Sequence, residues 1–160
     1  MSKRKLKDYY LINENPASRV AESYRVVRTN IQFAAIDNPV KTMVLTSAAP
    51  AEGKSTTAAN LAISLAQTGS SVLLIEGDLR RPTLHRVFAL TNQVGLTNFL
   101  LGSTEAAVIT RDVNLLGLRV ITSGPIPPNP AEVLGSKRMR DFIQRCRREY
   151  DYVIIDTPPT

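Results

Sequence analysis

A three-layer α/β fold built on a parallel sheet is predicted by three observations. Four short apolar runs, at 42–46, 72–75, 118–122 and 152–155, are bounded by polar or turn residues, the pattern of strands buried on both faces. Segments with helical spacing lie between them, and strands alternating with helices imply a parallel sheet covered on both sides. The composition suits such a core: 160 residues, 43% hydrophobic and 21% charged, are enough for one globular domain without metal or disulfide staples. The single cysteine, Cys146, excludes a disulfide framework within the chain and fits a reducing compartment.

Residues 1–16 are polar and basic, end in Asn15-Pro16 and show no periodicity, so they read as a mobile arm preceding a domain at 17–160. From Ala17 to about Ile36, Val20, Tyr24, Val27, Ile31 and Ala34 recur at three- and four-residue spacing, giving a helix one packing face before Asp37-Asn38-Pro39 stops it. The strand at 42–46 leads to a helix at 55–68 closed by Gly69, and the strand at 72–75 follows. Beyond the strand at 118–122, a Pro-rich loop at 125–130 precedes one helix from about Ala131 to Arg148 and a last strand at 152–155. No apolar run approaches the ~20 residues needed to span a bilayer, and the N-terminus lacks a signal peptide's apolar stretch, so a cytoplasmic protein is expected. Lys and Arg total 20 against 14 acidic residues, a net charge of +6 that favours nucleotides, anionic lipid or nucleic acid without choosing among them.

Ala48-Ala49-Pro50-Ala51-Glu52-Gly53-Lys54-Ser55 fits the relaxed P-loop pattern [AG]-x-x-x-x-G-K-[ST], placed after a strand and opening a helix as that motif requires. Successive backbone N–H groups and the helix N-terminus make a positive cradle for phosphate, and Gly53 lets the backbone approach it. Lys54 reaches the terminal phosphates and Ser55 offers its hydroxyl to Mg²⁺. Ala48 stands where a glycine is usual, so the loop must turn there without positive φ. The strand at 72–75 runs into Glu76-Gly77-Asp78-Leu79-Arg80, placing carboxylates where strand ends meet ligands in an open α/β sheet. The strand at 152–155 ends in Asp156, as a Walker B metal carboxylate does. A phosphate cradle, a lysine and carboxylates around Mg²⁺ suffice to bind and polarise a nucleoside triphosphate.

From about Glu22 to its end the chain resembles the bacterial tyrosine kinases of capsule and exopolysaccharide synthesis. The family's Walker A is similar to APAEGKST, its Walker A′ to LLIEGDLR, its Walker B to VIIDTPP, and its Pro-Asn-Pro loop to GPIPPNPAEVL at 124–134. Its E-x-x-R-x-x-R helix is similar to Glu22, Arg25 and Arg28. The resemblance implies a parallel-sheet P-loop ATPase fold like that of partitioning and septum-site ATPases, with ATP and Mg²⁺ as cofactors and protein tyrosines as substrates. It implies that Ala51, Glu52, Gly53, Lys54, Ser55, Thr56 and Arg80 bind the nucleotide, and that Ser55, Glu76, Asp78 and Asp156 hold the metal. Lys54, Glu76, Asp78 and Asp156 are then the catalytic set. Glu76 stands where the family has aspartate, one methylene longer, so Glu76→Asp is expected to raise autophosphorylation.

The resemblance further implies that Glu22, Arg25 and Arg28 join subunits into a ring-like homo-oligomer, and that a transmembrane adaptor of polysaccharide export recruits the kinase to the inner face of the membrane. Family members carry a C-terminal tyrosine cluster, so a chain ending at Thr160 reads as a kinase domain truncated after Walker B, with one sheet edge left open. Tyr24 and Tyr152 are expected in the core and Tyr150 beside the last strand, with Tyr9 and Tyr10 exposed on the arm. The basic helix carrying Lys137, Arg138, Arg140, Arg145, Arg147 and Arg148 lacks interleaved aromatics and reads as a solvated face, so nucleic acid is not an expected partner. Cys146 is expected to be a packed thiol and His85 a structural histidine. The competing classes are a regulatory ATPase of the partitioning type and a nucleotide-binding scaffold without turnover.

Overall fold

A computed structural model describes residues 11–34 and 36–160. Five strands form one sheet in the order β1-β5-β2-β4-β3, where β1 is Thr42–Leu45, β2 Val72–Glu76, β3 Thr110–Asp112, β4 Leu118–Ile121 and β5 Tyr152–Asp156. All four expected strands are present and mutually parallel. The addition is β3, a short edge strand running antiparallel to β4, so the sheet is mixed rather than wholly parallel.

Alternation along the strands divides the core into two layers. Val72, Leu74, Val120 and Ile154 face α1 (Arg19–Ala34) and α2 (Lys54–Ala66), together with α3 (Leu84–Val87). Leu73, Ile75, Ile121 and Val153 face the other layer, made by α4 (Leu96–Leu100), α5 (Ala106–Ile109), α6 (Pro130–Leu134) and α7 (Lys137–Glu149). The helix expected at 131–148 is therefore two helices. Gly135-Ser136 separates them, and the Ser136 hydroxyl accepts the Met139 N–H at 3.2 Å as the N-cap of α7. Phe99 and Phe142 pack with centroids 4.6 Å apart, while Arg138 stacks 4.6 Å over Phe99 and Arg145 lies 5.4 Å over Phe142. The basic face of α7 thus roofs an aromatic pair with two of its guanidinium groups.

Three further expectations change. Leu11 and Ile12 belong to the core: Ile12 is buried and its N–H donates to Asn60 Oδ1 of α2 at 2.9 Å, so the expected arm is anchored at 11–12, while residues 1–10, with Tyr9 and Tyr10, lie outside the described residues. On α1, Ala21, Tyr24 and Ile31 face α2, whereas Val20 and Val27 are exposed, a rotation of about one residue from the expected face. Finally, β1 is half-buried rather than dry, with Val44 60% exposed, because β1 pairs only with β5 among the described strands. Tyr24 and Tyr152 pack partly buried against one core layer and Tyr150 against the other. No described helix is long and apolar enough to cross a membrane.

Candidate nucleotide-binding site

The C-terminal ends of β1, β2 and β5 meet at one point because their register sets Leu45, Glu76 and Asp156 abreast. Here β1 gives way to the loop that opens α2. Its turn is made at Ala51, φ 62°, and at Gly53, φ 80°, while Ala48 stays out of the left-handed region as expected. Positive φ costs glycine little but strains alanine, so Ala51 is the loop's strained position. Within the loop the Ser47 hydroxyl donates to Ala49 O at 2.9 Å, and the Ala49 N–H donates to Glu52 Oε2 at 3.1 Å. Lys54, Ser55 and Thr56 form the first turn of α2, whose N-terminus points its free N–H groups at the loop.

Lys54 Nζ lies 2.5 Å from Asp156 Oδ1, joining the first turn of α2 to the end of β5. Asp156 is fully buried and its second oxygen, Oδ2, has no partner among the described residues. An acceptor buried without a partner is costly, so the position suits a cation or a water beside the lysine. That orphaned oxygen, the Ser55 hydroxyl in the first turn of α2 and the Asp78 carboxylate just after β2 are the kinds of oxygen donor that Mg²⁺ takes along with phosphate oxygens. Among the described residues no three His, Cys, Asp or Glu side chains are grouped to hold a metal by themselves.

Glu76 sits differently from the expectation. Its Oε2 accepts the N–H groups of Thr83 at 2.7 Å and Leu84 at 2.9 Å, and its Oε1 accepts that of Asp78 at 3.2 Å. Burial pushes its carboxyl up to about 7, the three backbone amides work against that rise, and Asp156 adds to it. Glu76 does not line the cavity; it lies beneath the loop and pins the segment that turns from β2 into α3. The extra methylene supplies the reach to Thr83 and Leu84, so shortening the side chain withdraws it from those amides and the expected gain from Glu76→Asp loses its structural basis.

Above that loop, Asp78 Oδ1 accepts the N–H groups of Arg80 at 3.2 Å and Arg81 at 2.9 Å. A cavity of about 960 Å³ separates this segment from the phosphate loop. Ala51, Glu52, Gly53, Lys54, Ser55, Thr56, Asp78 and Arg80 all line it, so the expected nucleotide residues are brought together. Sequence reasoning missed Arg81, Thr83, Arg86 and Pro158-Pro159, which also line it. Of these, only Arg81 and the two prolines carried a signal, through their places in the motifs.

Glu22, Arg25 and Arg28 do not act alike. Arg25 pairs with Glu22 at 2.9 Å on the helix surface and also reaches Pro16 O. Arg28 is partly buried and donates to Ser64 O at 2.9 Å, holding α1 to α2. His85 is half-buried, its pKa lowered by burial and by Arg86, and Cys146 is buried, its thiol pushed up to about 12 by burial; both fit the structural roles expected of them.

Comparison with known proteins places this geometry. A family profile described as an AAA domain matches residues 40–160. The chain is 53% identical over 144 residues to the tyrosine-protein kinase YwqD of Bacillus subtilis (strain 168), a match covering 90% of this chain and 61% of YwqD. It therefore spans about three fifths of that relative's length. The crystal structure of the chimerical protein CapA2B2 superposes with a TM-score of 0.90 at 43% identity, over 93% of this chain and 66% of that one. The VpsO kinase domain superposes with a TM-score of 0.76 at 35% identity, over 88% of this chain and 70% of that one.

Proposed function

The chain belongs to the AAA-domain family of P-loop proteins and, within it, to the bacterial tyrosine kinases, and from that premise we propose that it carries the nucleotide site of a kinase that moves the γ-phosphoryl group of ATP to protein tyrosines. The observation that carries this reading is the meeting of three strand ends, which sets the Lys54–Asp156 pair and the Asp78 carboxylate against the phosphate loop.

The amides from Ala51 to Ser55 and the N-terminus of α2 receive the phosphates, with Thr56 and Arg80 completing the cradle. Lys54 exchanges its contact with Asp156 for the β- and γ-phosphates, a short swing for a flexible side chain that frees the buried carboxylate. Ser55, Asp78 and Asp156 are the metal ligands in this proposal, and Glu76 stands outside them. Bound Mg²⁺ neutralises charge on the phosphates as the transfer proceeds. Asp78 lines the cavity, and as a metal ligand there it would help orient the incoming tyrosine hydroxyl. The proposal extends to exopolysaccharide or capsule synthesis as the setting, to a membrane adaptor that recruits the kinase to the inner face of the membrane, and to assembly through the helix bearing Glu22 and Arg25.

Incubation with ATP, Mg²⁺ and the adaptor's cytoplasmic segment, followed by mapping of phosphotyrosine by mass spectrometry, tests the reading. Phosphotyrosine that disappears in Lys54→Met is the expected result. Phosphate release without phosphotyrosine points instead to a regulatory ATPase, and binding without turnover to a scaffold.

A further inference from the structure

The cavity wall facing the phosphate loop carries positive charge that the proposed nucleotide chemistry leaves unused. Arg81 and Arg86 both line the cavity and both are exposed. Among the described residues neither guanidinium meets a carboxylate, whereas Arg25, Arg119 and Arg145 each do. Their backbone is fixed from two sides. Asp78 holds the Arg81 N–H at 2.9 Å, and Glu76 holds those of Thr83 and Leu84 at 2.7 and 2.9 Å, just ahead of the turn that carries Arg86. Two exposed guanidinium groups without an ion-pair partner among the described residues, carried by a held backbone segment, offer paired N–H donors that match carboxylates.

The proposed nucleotide contacts do not include them. The loop amides, the helix N-terminus and Lys54 line the same cavity and supply donors for the phosphates in that proposal, with Arg80 beside them. A second anionic group entering the cavity mouth is what remains for Arg81 and Arg86 to bind. We propose that Arg81 and Arg86 form an acceptor-recognition site that takes glutamate or aspartate side chains flanking the target tyrosine of a polypeptide. This rests on the kinase reading for the tyrosine, though not for the charge recognition. A polypeptide fits better than a lipid surface because the arginines lie in a cavity wall, and the apolar residues around them, Leu79, Leu84 and Val87, are turned into the core.

Fluorescence anisotropy on the full chain loaded with Mg-ADP tests this with three peptides, each having one tyrosine flanked by glutamate, glutamine or lysine. The glutamate peptide should bind about tenfold more tightly than the glutamine peptide, and the lysine peptide most weakly. Arg81→Ala with Arg86→Ala should erase the preference and leave Mg-ADP affinity within about twofold, and Arg81→Glu with Arg86→Glu should turn it toward lysine. Equal binding of the glutamate and glutamine peptides, a preference that survives in the double alanine variant, or a parallel loss of Mg-ADP affinity overturns the proposal. So does arginine-dependent capture by phosphatidylglycerol vesicles with no peptide preference. If the preference holds but neither peptide gains phosphotyrosine from ATP, charge recognition stands and the kinase reading falls.

Discussion

At the centre of the sheet β2 buries all five of its residues, and β5 beside it buries Val153, Ile154 and Asp156. One strand further out, β1 leaves Val44 60% exposed, and α1 alongside leaves Phe33 68% exposed. Both regions deliver a residue to the nucleotide site, yet they do so under different constraints. A carboxylate at the end of a dry strand must find donors, so Glu76 takes three amides and Asp156 takes Lys54. The loop that leaves the half-wet β1 edge meets no such demand and offers its N–H groups outward to a ligand. Two neighbouring buried acids differ in their surroundings: Glu76 accepts three backbone amides and does not line the cavity, while Asp78 accepts two and does line it.

The widest separation between the two regions should appear in stability. Ile154→Ala opens a void between β5 and the α1–α2 layer, where the side chain is fully buried, and should cost about 2–5 kcal/mol. Val44→Ala, on the exposed edge, should stay within about 0.5 kcal/mol. Urea unfolding of both variants measures the contrast, and comparable losses would show that the β1 edge is covered in solution.

Next in size is the pH response of the buried carboxylate. Glu76 has its pKa raised from 4.5 to about 7, so between those values the folded chain holds a proton that the unfolded chain has released. Stability contributed by the group therefore falls as pH rises through that window, by on the order of 3 kcal/mol across the whole of it. Asp112 and Asp151, held low by hydrogen bonds, titrate below the window, while His85, its pKa lowered, works in the opposite sense. Comparison with Glu76→Gln isolates the effect. The variant should lose most of the decline in unfolding free energy between pH 5 and pH 7.5, and an unchanged decline would assign the proton elsewhere.

The same contrast explains what the sequence could reveal. The four parallel strands were legible because each is a continuous apolar run, and the phosphate loop because its chemistry lies in consecutive residues. Residues 77–117 were not, since α3, α4 and α5 are four or five residues long and too short to show a period. The function of Glu76 was hidden for another reason: its partners at Thr83 and Leu84 are brought back by a turn that no spacing rule encodes. On α1 the period was right and two of the expected residues, Tyr24 and Ile31, pack, while the stripe is shifted at Val20 and Val27. Val20 and Val27 repeat at the same interval as Ala21 and Arg28, and hydrophobicity favoured the valines, while the polar anchor to Ser64 belongs to the other stripe.

That shift sets the smallest prediction, which divides the helix expected to join subunits. Arg28 hydrogen-bonds the Ser64 carbonyl from a partly buried position, and its Nε is itself buried without a partner, so Arg28→Ala removes a fixed contact between α1 and α2. A loss of about 1–2 kcal/mol is expected by chemical denaturation, typical of a charged donor to a carbonyl. Arg25 pairs with Glu22 across one exposed helical turn, where an ion pair contributes about 0.5 kcal/mol or less, so Arg25→Ala should leave stability nearly unchanged. A variant changed at both arginines would mix a loosened α1 with a lost surface contact. Arg25→Ala alone is the cleaner probe of assembly: with folding intact, a shift to smaller species in light scattering supports a subunit contact at this face, and an unchanged mass removes Arg25 from it.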